Sequence, residues 1–206
     1  MTLSDLLFIV SALLVLGTLI RLLIVAVLRR TGPLKSTARF LGIYLTVYAA
    51  LLMGFGLGRP RILLDQGQPK CFDEWCVAAI KTEPAAGAVC ASSNTWIATF
   101  EIASQAKRRR QSAPDANAEL EDAQGRRFAP CGSPISGTGK SANTLNDFLE
   151  PGEHRLVAIP FALAQGSQPV GAVVHHGQFP GVVIIGDDQS FLHPQTLFRF
   201  SAPAGR

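Results

Sequence analysis

The sequence predicts an all-β domain, a β-sandwich, that follows an N-terminal two-helix transmembrane hairpin. Three observations lead to this fold class. Two apolar runs lie within residues 1–58, twelve of the 13 prolines follow them, and the rest of the chain alternates short apolar segments with turn signals. The composition agrees, because charged residues make up only 17% of the 206 residues, whereas soluble domains carry about 25%.

The first apolar run extends from Leu6 to Leu28 and the second from Phe40 to Leu57. As helices they would be about 34 Å and about 27 Å long, close to the roughly 30 Å of the hydrocarbon core. Gly32 and Pro33 lie between the runs and are expected to break the helix. A cleaved signal peptide is an alternative for the first run, but Asp5 is its only early charge and no Ala-x-Ala cleavage site follows.

Basic residues set the expected orientation. The loop between the runs holds Arg29, Arg30, Lys35 and Arg39 and no acid, so the positive-inside rule places it in the cytoplasm. Everything after the second run is then extracytoplasmic, in a two-pass membrane protein. Residues 59–206 hold 14 basic and 14 acidic residues, so we expect membrane lipid rather than nucleic acid as a partner.

Two features of the apolar runs indicate contacts with other membrane protein subunits. Arg21 is a charge inside the first run, where it either snorkels to the cytoplasmic face or contacts a partner helix. Ala50, Gly54 and Gly58 recur every four residues and share one helix face, a spacing that lets helices approach closely. This face is expected to pack on the first helix or on a partner.

Residues 70–206 are expected to form one domain of short strands, after a linker over residues 59–69. Leu120 is a core candidate, Gln124-Gly125 and Pro151-Gly152 are turn signals, and Pro160 indicates an edge strand or a bulge. The predicted strands are 75–82, 95–105, two short arms within 117–128, one after the Pro-Gly turn, 169–176 and 181–188.

The order of these segments resembles the bacterial immunoglobulin-like domains described as telomeric-repeat-binding-factor-like. The resemblance rests on Trp96–Ile102, Leu120–Phe128, Phe148–Glu153 and Leu156–Phe161, and covers about residues 75–175. It implies an immunoglobulin-like β-sandwich behind a membrane anchor and a role in adhesion, assembly or scaffolding. It implies no catalytic residues. The four cysteines and the C-terminal GDDQSFLHPQTLFRF lie outside the family's pattern.

The cysteines, Cys71, Cys76, Cys90 and Cys131, all lie in the part expected outside the cytoplasm. Their even number and an oxidising compartment together predict disulfides. Of the three possible pairings we favour Cys71–Cys76 and Cys90–Cys131. A zinc site is the alternative, since the spacing in CFDEWC permits it, but no second pair of ligands follows at matching spacing. No metal or cofactor is expected.

Histidines and basic residues give weaker signals. His175 and His176 would point to opposite faces of a strand, so a metal site that combines either with His193 is a minor alternative. The densest basic cluster is interpreted as a solvated loop, with lipid headgroups or an acidic patch of a partner as alternatives. This basic loop consists of Lys107, Arg108, Arg109 and Arg110.

The predicted function is a non-catalytic, membrane-anchored extracytoplasmic binding or assembly module, an accessory subunit of a larger bacterial membrane complex. The alternative is a ligand-sensing ectodomain that acts through a partner protein, because the cytoplasmic share of the chain is only the loop near residues 29–39. An enzyme is less favoured, since the sequence shows no recognisable combination of nucleophile, base and orienting group. The sequence identifies neither the partner nor a small-molecule ligand.

Overall fold

A computed structural model describes residues 3–28, 31–85, 90, 94–132, 144–176, 183–185 and 193–200. The chain divides into two compact units. The helical unit contains residues 1–60 and 178–194, and the sandwich unit contains residues 61–177 and 195–206.

The helical unit is built on α1 (Leu3–Val27) and α2 (Thr31–Gly58). Both helices are long and apolar enough to cross a membrane, by length and composition. Pro33 lies in the first turn of α2, where the backbone N–H groups have no partner within the helix and proline is tolerated. The expected break at Gly32 and Pro33 is therefore wrong, and the second helix begins well before Phe40.

The two helices pack beside each other and leave an apolar groove between them. Phe8, Val15 and Leu19 line it from α1, and Tyr44 and Tyr48 line it from α2. Contacts between the early part of α1 and the later part of α2 are those of an antiparallel helical hairpin.

A short segment later in the chain belongs to the same unit. The Tyr48 hydroxyl donates a hydrogen bond of 2.6 Å to the Val183 carbonyl. Residues 183–185 form an irregular turn, so the strand predicted over 181–188 is wrong for these three residues, and its other residues lie outside the described part. A short apolar run does not distinguish a strand from other buried segments by its periodicity.

The described residues of the sandwich unit form nine strands in two sheets. A five-stranded sheet has the order β1-β9-β8-β5-β6, and a four-stranded sheet has the order β2-β3-β4-β7. Neighbouring strands are antiparallel, except that β1 and β9 are parallel. The strands are β1 Leu63–Leu64, β2 Lys70–Phe72, β3 Trp75–Pro84, β4 Thr95–Ser104, β5 Asn117–Asp122, β6 Arg127–Phe128, β7 His154–Ala162, β8 Pro169–His175 and β9 Leu197–Arg199.

The core of the sandwich lies between the inner faces of the two sheets. Phe100 and Ile102 of β4 and Phe161 of β7 contribute from the four-stranded sheet, while Leu120 of β5 and Phe198 of β9 contribute from the five-stranded sheet. All five side chains are completely buried. The predicted alternation along β4 and the predicted core position of Leu120 are confirmed.

Two predicted turns and one predicted edge are also confirmed. Gly125 (φ 74°) and Gly152 (φ 76°) adopt left-handed backbone conformations, which glycine tolerates because it lacks a Cβ atom. Pro160 lies in β7, the edge strand of the four-stranded sheet, where a residue without an N–H group is tolerated. Its carbonyl accepts a hydrogen bond of 3.0 Å from the Cys131 backbone N–H.

The segment interpreted as a linker contributes a strand. Leu63 and Leu64 pair in parallel with Leu197 and Phe198, so residues from the start and the end of the sandwich unit share one edge of the five-stranded sheet. Strands β1, β2 and β9 were not predicted, because strands of two or three residues are too short to show a period.

Candidate interaction surfaces

The four cysteines form the two favoured disulfides. Cys71 and Cys76 are directly paired residues of β2 and β3, with Cα atoms 3.9 Å apart. Cys90 and Cys131 have Cα atoms 5.8 Å apart. Both pairings are confirmed. The zinc alternative for CFDEWC is wrong, because its two sulfur atoms are bonded to each other. Disulfides of this kind persist in oxidising compartments.

The small-residue face of α2 is open. Ala50, Gly54 and Gly58 line a shallow groove on α2 together with Leu51 and Phe55. A Cβ atom added at Gly54 or Gly58 would meet no described atom within 4 Å. These glycines therefore do not pack against α1. The expected packing of this face on the first helix is wrong, and its contact with a partner remains a prediction.

Arg21 lies within the apolar stretch of α1, Leu6–Val27. Arg21 is exposed, and it forms no hydrogen bond or ion pair with the residues that the structure describes. Both interpretations of Arg21, snorkelling and a contact with a partner helix, remain predictions.

Apolar side chains are exposed around both helices. The exposed fractions are 63% for Leu13, 66% for Leu23, 60% for Ile43 and 69% for Leu57. Apolar patches of this extent mark contact with a membrane or with another protein. The surface that needs a partner or lipid is therefore the outside of the helical unit.

A polar network covers part of the outer face of the five-stranded sheet. Glu121 is only 6% exposed and accepts two hydrogen bonds from the Arg61 guanidinium, at 2.5 and 2.7 Å. Arg127 approaches the same carboxylate at 3.5 Å. The hydrogen bonds from Arg61 hold the pKa of Glu121 below its usual value, and the positive charges of Arg61 and Arg127 act in the same direction, against the effect of burial.

This network was missed by sequence reasoning, although one signal was present. Glu119 and Glu121 alternate with Leu120 along β5, so both carboxylates lie on the face away from the core. Arg127 follows on the next arm of the same hairpin, in register with Glu121. Arg61 could not have been found, because the parallel pairing of β1 with β9 that brings it there involves only two residues.

The adjacent histidines have separate partners. The His175 ring lies between Glu119, at 3.2 Å, and Gln195, at 2.9 Å. The His176 ring lies 2.6 Å from the Asp115 carboxylate and packs edge-on against Phe72. The two rings therefore do not chelate one ion together. His193, the third residue of the metal alternative, belongs to the helical unit, and the described residues contain no group of three potential metal ligands.

The basic loop follows β4 and is exposed, as the sequence predicted. The Arg110 guanidinium lies 4.5 Å from the centre of the Phe148 ring. Lys107, Arg108 and Arg109 line a shallow depression together with Gln105 and Glu74. This cluster is the largest concentration of one charge in the described part of the sandwich.

No protein-family model and no curated protein matches the chain. Among solved structures, the chain is similar to MPT63, a secreted protein from Mycobacterium tuberculosis, with 14% identity over 57% of this chain and 92% of that chain and a TM-score of 0.43. An uncharacterized beta-sandwich protein from Clostridium difficile 630 gives 10% identity, 69% and 96% coverage and a TM-score of 0.43. The yjhA protein from Bacillus subtilis gives 10% identity, 67% and 99% coverage and a TM-score of 0.41. None of these findings supports the telomeric-repeat-binding-factor-like family in particular.

Proposed function

We propose that the chain is a non-catalytic, membrane-anchored binding or assembly module, an accessory subunit of a larger bacterial membrane complex. One observation carries this proposal: the helical unit exposes large apolar side chains around both α1 and α2. In water such a surface is unfavourable by about 25 cal/mol for each Å². Lipid covers most of it in a two-pass membrane protein, and partner helices cover the rest.

Two features support an extracytoplasmic sandwich. Two disulfides lie in the sandwich unit, as in proteins of oxidising compartments. Arg29 and Arg30 between the helices, with Lys35 and Arg39 near the start of α2, favour a cytoplasmic connection. This orientation leaves both the N-terminus and the sandwich on the outer side. The proposed location is therefore the bacterial inner membrane, with two passes.

We propose that the sandwich is immunoglobulin-like, and the order of its strands supports this class. Immunoglobulin sheets have the orders A-B-E-D and G-F-C, and variable-type domains add C′ beside C. The strands β3-β4-β7 follow A-B-E, and β9-β8-β5-β6 follow G-F-C-C′, in chain order as well as in space. Three departures remain, since β2 flanks β3, β1 flanks β9 and no described strand occupies position D. Membership in the telomeric-repeat-binding-factor-like family rests on the sequence segments alone.

The open face of α2 is the proposed contact with a partner helix. Small residues at Ala50, Gly54 and Gly58 allow backbones to approach closely, and Gly54 has free space where a Cβ atom would stand. Arg21 of α1 provides a second, polar contact within the membrane.

Co-purification tests this proposal. The full chain is extracted in a mild detergent, and the co-purifying proteins are quantified by mass spectrometry for the wild type, Gly54→Leu and Gly42→Leu. Gly42 is the matched control, because it is also a glycine of α2 with no described atom within 4 Å of an added Cβ, and it points about 120° away around the helix.

We expect a stoichiometric set of membrane proteins with the wild type and with Gly42→Leu, and its loss with Gly54→Leu. Arg21→Leu should insert normally and recover less of the same set. Recovery of the wild-type chain alone would contradict the subunit proposal, and equal recovery with both glycine variants would contradict the assignment of the face.

A further inference from the structure

The arginines of the basic loop lack carboxylate partners, unlike every other described arginine of the sandwich unit. Elsewhere each arginine lies within ion-pair distance of a carboxylate. These pairs are Arg61–Glu121, Arg126–Asp122, Arg127–Glu121, Arg155–Asp147 and Arg199–Asp65. By contrast, Lys107, Arg108 and Arg109 have no ion pair with any residue that the structure describes. A sandwich that neutralises its other arginines leaves three adjacent cations uncompensated.

Both ends of the loop are held in place. At its start, the Gln105 backbone N–H donates a hydrogen bond of 2.7 Å to the Glu74 carbonyl, and the Ala106 residue is buried. At its end, Gln111 and Leu149 exchange two backbone hydrogen bonds of 2.9 and 2.8 Å. The four basic residues therefore project from a fixed base, which lowers the entropy cost of binding a ligand there.

The side chains around the loop strengthen this arrangement. Arg110 stacks on Phe148, which orients one guanidinium. Glu74 is the one carboxylate lining the depression, and its Oε2 atom accepts a hydrogen bond of 2.6 Å from the Gln111 amide. The depression keeps an excess of positive charge, because Lys107, Arg108 and Arg109 line it together with a single carboxylate.

We infer that the basic loop binds phosphate groups. A phosphate carries more negative charge than a carboxylate and offers several acceptor oxygens, and guanidinium groups match its geometry with paired N–H donors. Arg108 and Arg109, with Lys107 as a point charge, form the proposed site, and Phe148 with Arg110 forms its border. The phosphate can belong to an anionic lipid headgroup or to a free phosphate-bearing ligand, and both present the same chemistry to the loop. This site is independent of the proposed contact at Gly54.

The test uses the full chain in nanodiscs of phosphatidylcholine, which carries no net charge. Inorganic tripolyphosphate is titrated by calorimetry, and binding to vesicles of phosphatidylcholine with and without phosphatidylglycerol is measured by co-sedimentation. The test variant is Arg108→Gln/Arg109→Gln. The matched control is Lys81→Gln/Arg199→Gln, which also removes two cations from side chains that are about half exposed, 52% and 51%.

We expect the wild type and the control variant to bind tripolyphosphate, with an affinity that falls as salt is added. Removing two arginines should weaken binding on the order of 30-fold, from the usual contribution of a basic residue near an anionic surface. Loop-dependent binding to vesicles that contain phosphatidylglycerol identifies a lipid headgroup as the source. Binding of tripolyphosphate alone identifies a free ligand.

Three results would overturn the inference. The first is no binding of either probe by the wild type. The second is equal weakening by the test and control variants, which would make net charge the cause. The third is equally tight binding of polyglutamate, which would assign the loop to an acidic peptide instead. Partner recovery is not a readout here, so failure of this site and failure of the proposed function are distinguishable.

Discussion

The two units of the chain treat apolar side chains in opposite ways. In the sandwich, Phe100, Leu120 and Phe198 are completely buried, whereas in the helical unit Leu13 and Leu23 remain 63% and 66% exposed. Burial in a protein core supplies most of the driving force for folding. The sandwich therefore contains the interactions that stabilise it, while the helices depend on lipid or a partner to cover their surface. Under the proposed function, stability and assembly thus depend on different parts of one chain.

The largest expected effect on the stability of the sandwich is that of a substitution in its core. Phe100→Ala should lower the free energy of unfolding of the sandwich by about 4 kcal/mol, because it removes a buried ring and leaves a cavity. Leu23→Ala in α1 should change it by less than about 0.5 kcal/mol. Tryptophan fluorescence during denaturation in detergent measures the sandwich alone, since Trp75 and Trp96 are the two tryptophans of the chain and both lie in its strands.

The comparison would break down if Leu23→Ala destabilised the sandwich as much as Phe100→Ala. The stability of the two units would then be coupled, and a loss of partner in an α1 or α2 variant could result from unfolding. The tryptophan measurement should therefore accompany the co-purification of the Gly54 and Gly42 variants.

The two units also differ in how much the sequence reveals. The long strands β3, β4 and β8 could be predicted, because apolar alternation or a long apolar run bounded by turn residues marks a half-buried or buried strand. The helical unit could be placed by length and hydropathy, but the start of α2 could not. Pro33 acts as a helix breaker in an interior and as a good residue in a first turn, and only the structure distinguishes these positions.

The candidate surfaces show the same limit. The cysteine pairing, the Ala50–Gly58 spacing and the basic loop are local patterns, so the sequence presents them directly. The Arg61–Glu121 pair joins residues 60 positions apart through two-residue strands that carry no periodic signal. What the sequence could not provide was which arginines have carboxylate partners, and that information singles out the basic loop.

Removing the disulfides is expected to have an intermediate effect on the stability of the sandwich. Cys90–Cys131 closes a separation of 41 residues and Cys71–Cys76 one of 5 residues. In the chain-entropy description, closing the longer loop stabilises the folded state by about 4 kcal/mol, and closing the shorter one by about 2 kcal/mol. The Cys90→Ser/Cys131→Ser variant should therefore lose more unfolding free energy than the Cys71→Ser/Cys76→Ser variant, as measured by the same fluorescence transition.

The shorter disulfide provides the control for the longer one, since each double variant removes one covalent bond and introduces two hydroxyls. Equal losses, or a larger loss for Cys71→Ser/Cys76→Ser, would mean that local packing in the β2–β3 hairpin outweighs loop closure. Expression in a reducing compartment should reproduce the combined loss if both bonds form only under oxidising conditions.

The smallest of the three effects on stability is expected from breaking an arginine–carboxylate pair. Such pairs distinguish the other described arginines of the sandwich from those of the basic loop. Glu121→Gln should cost about 2 kcal/mol, because it leaves the Arg61 guanidinium without its carboxylate. Removal of one partner of a fully buried pair costs about 3–5 kcal/mol, and the Arg61 side chain is 28% exposed. Glu83→Gln, which breaks an exposed pair with Lys81, should cost less than about 1 kcal/mol.

The pH dependence of unfolding sharpens this prediction. The pKa of Glu121 is lower in the folded chain, chiefly because Arg61 donates hydrogen bonds to the ionised carboxylate. The unfolded state therefore binds the proton more tightly, so this contribution is fully present above the unfolded pKa, near 4.3, and is lost as the pH falls through the folded value. The wild type should lose more stability than Glu121→Gln between neutral and acidic pH, while Glu83→Gln should follow the wild type. Parallel acid limbs for the wild type and Glu121→Gln would show that the Arg61–Glu121 pair does not stabilise the sheet, and the contrast between paired arginines and the basic loop would then have no energetic basis.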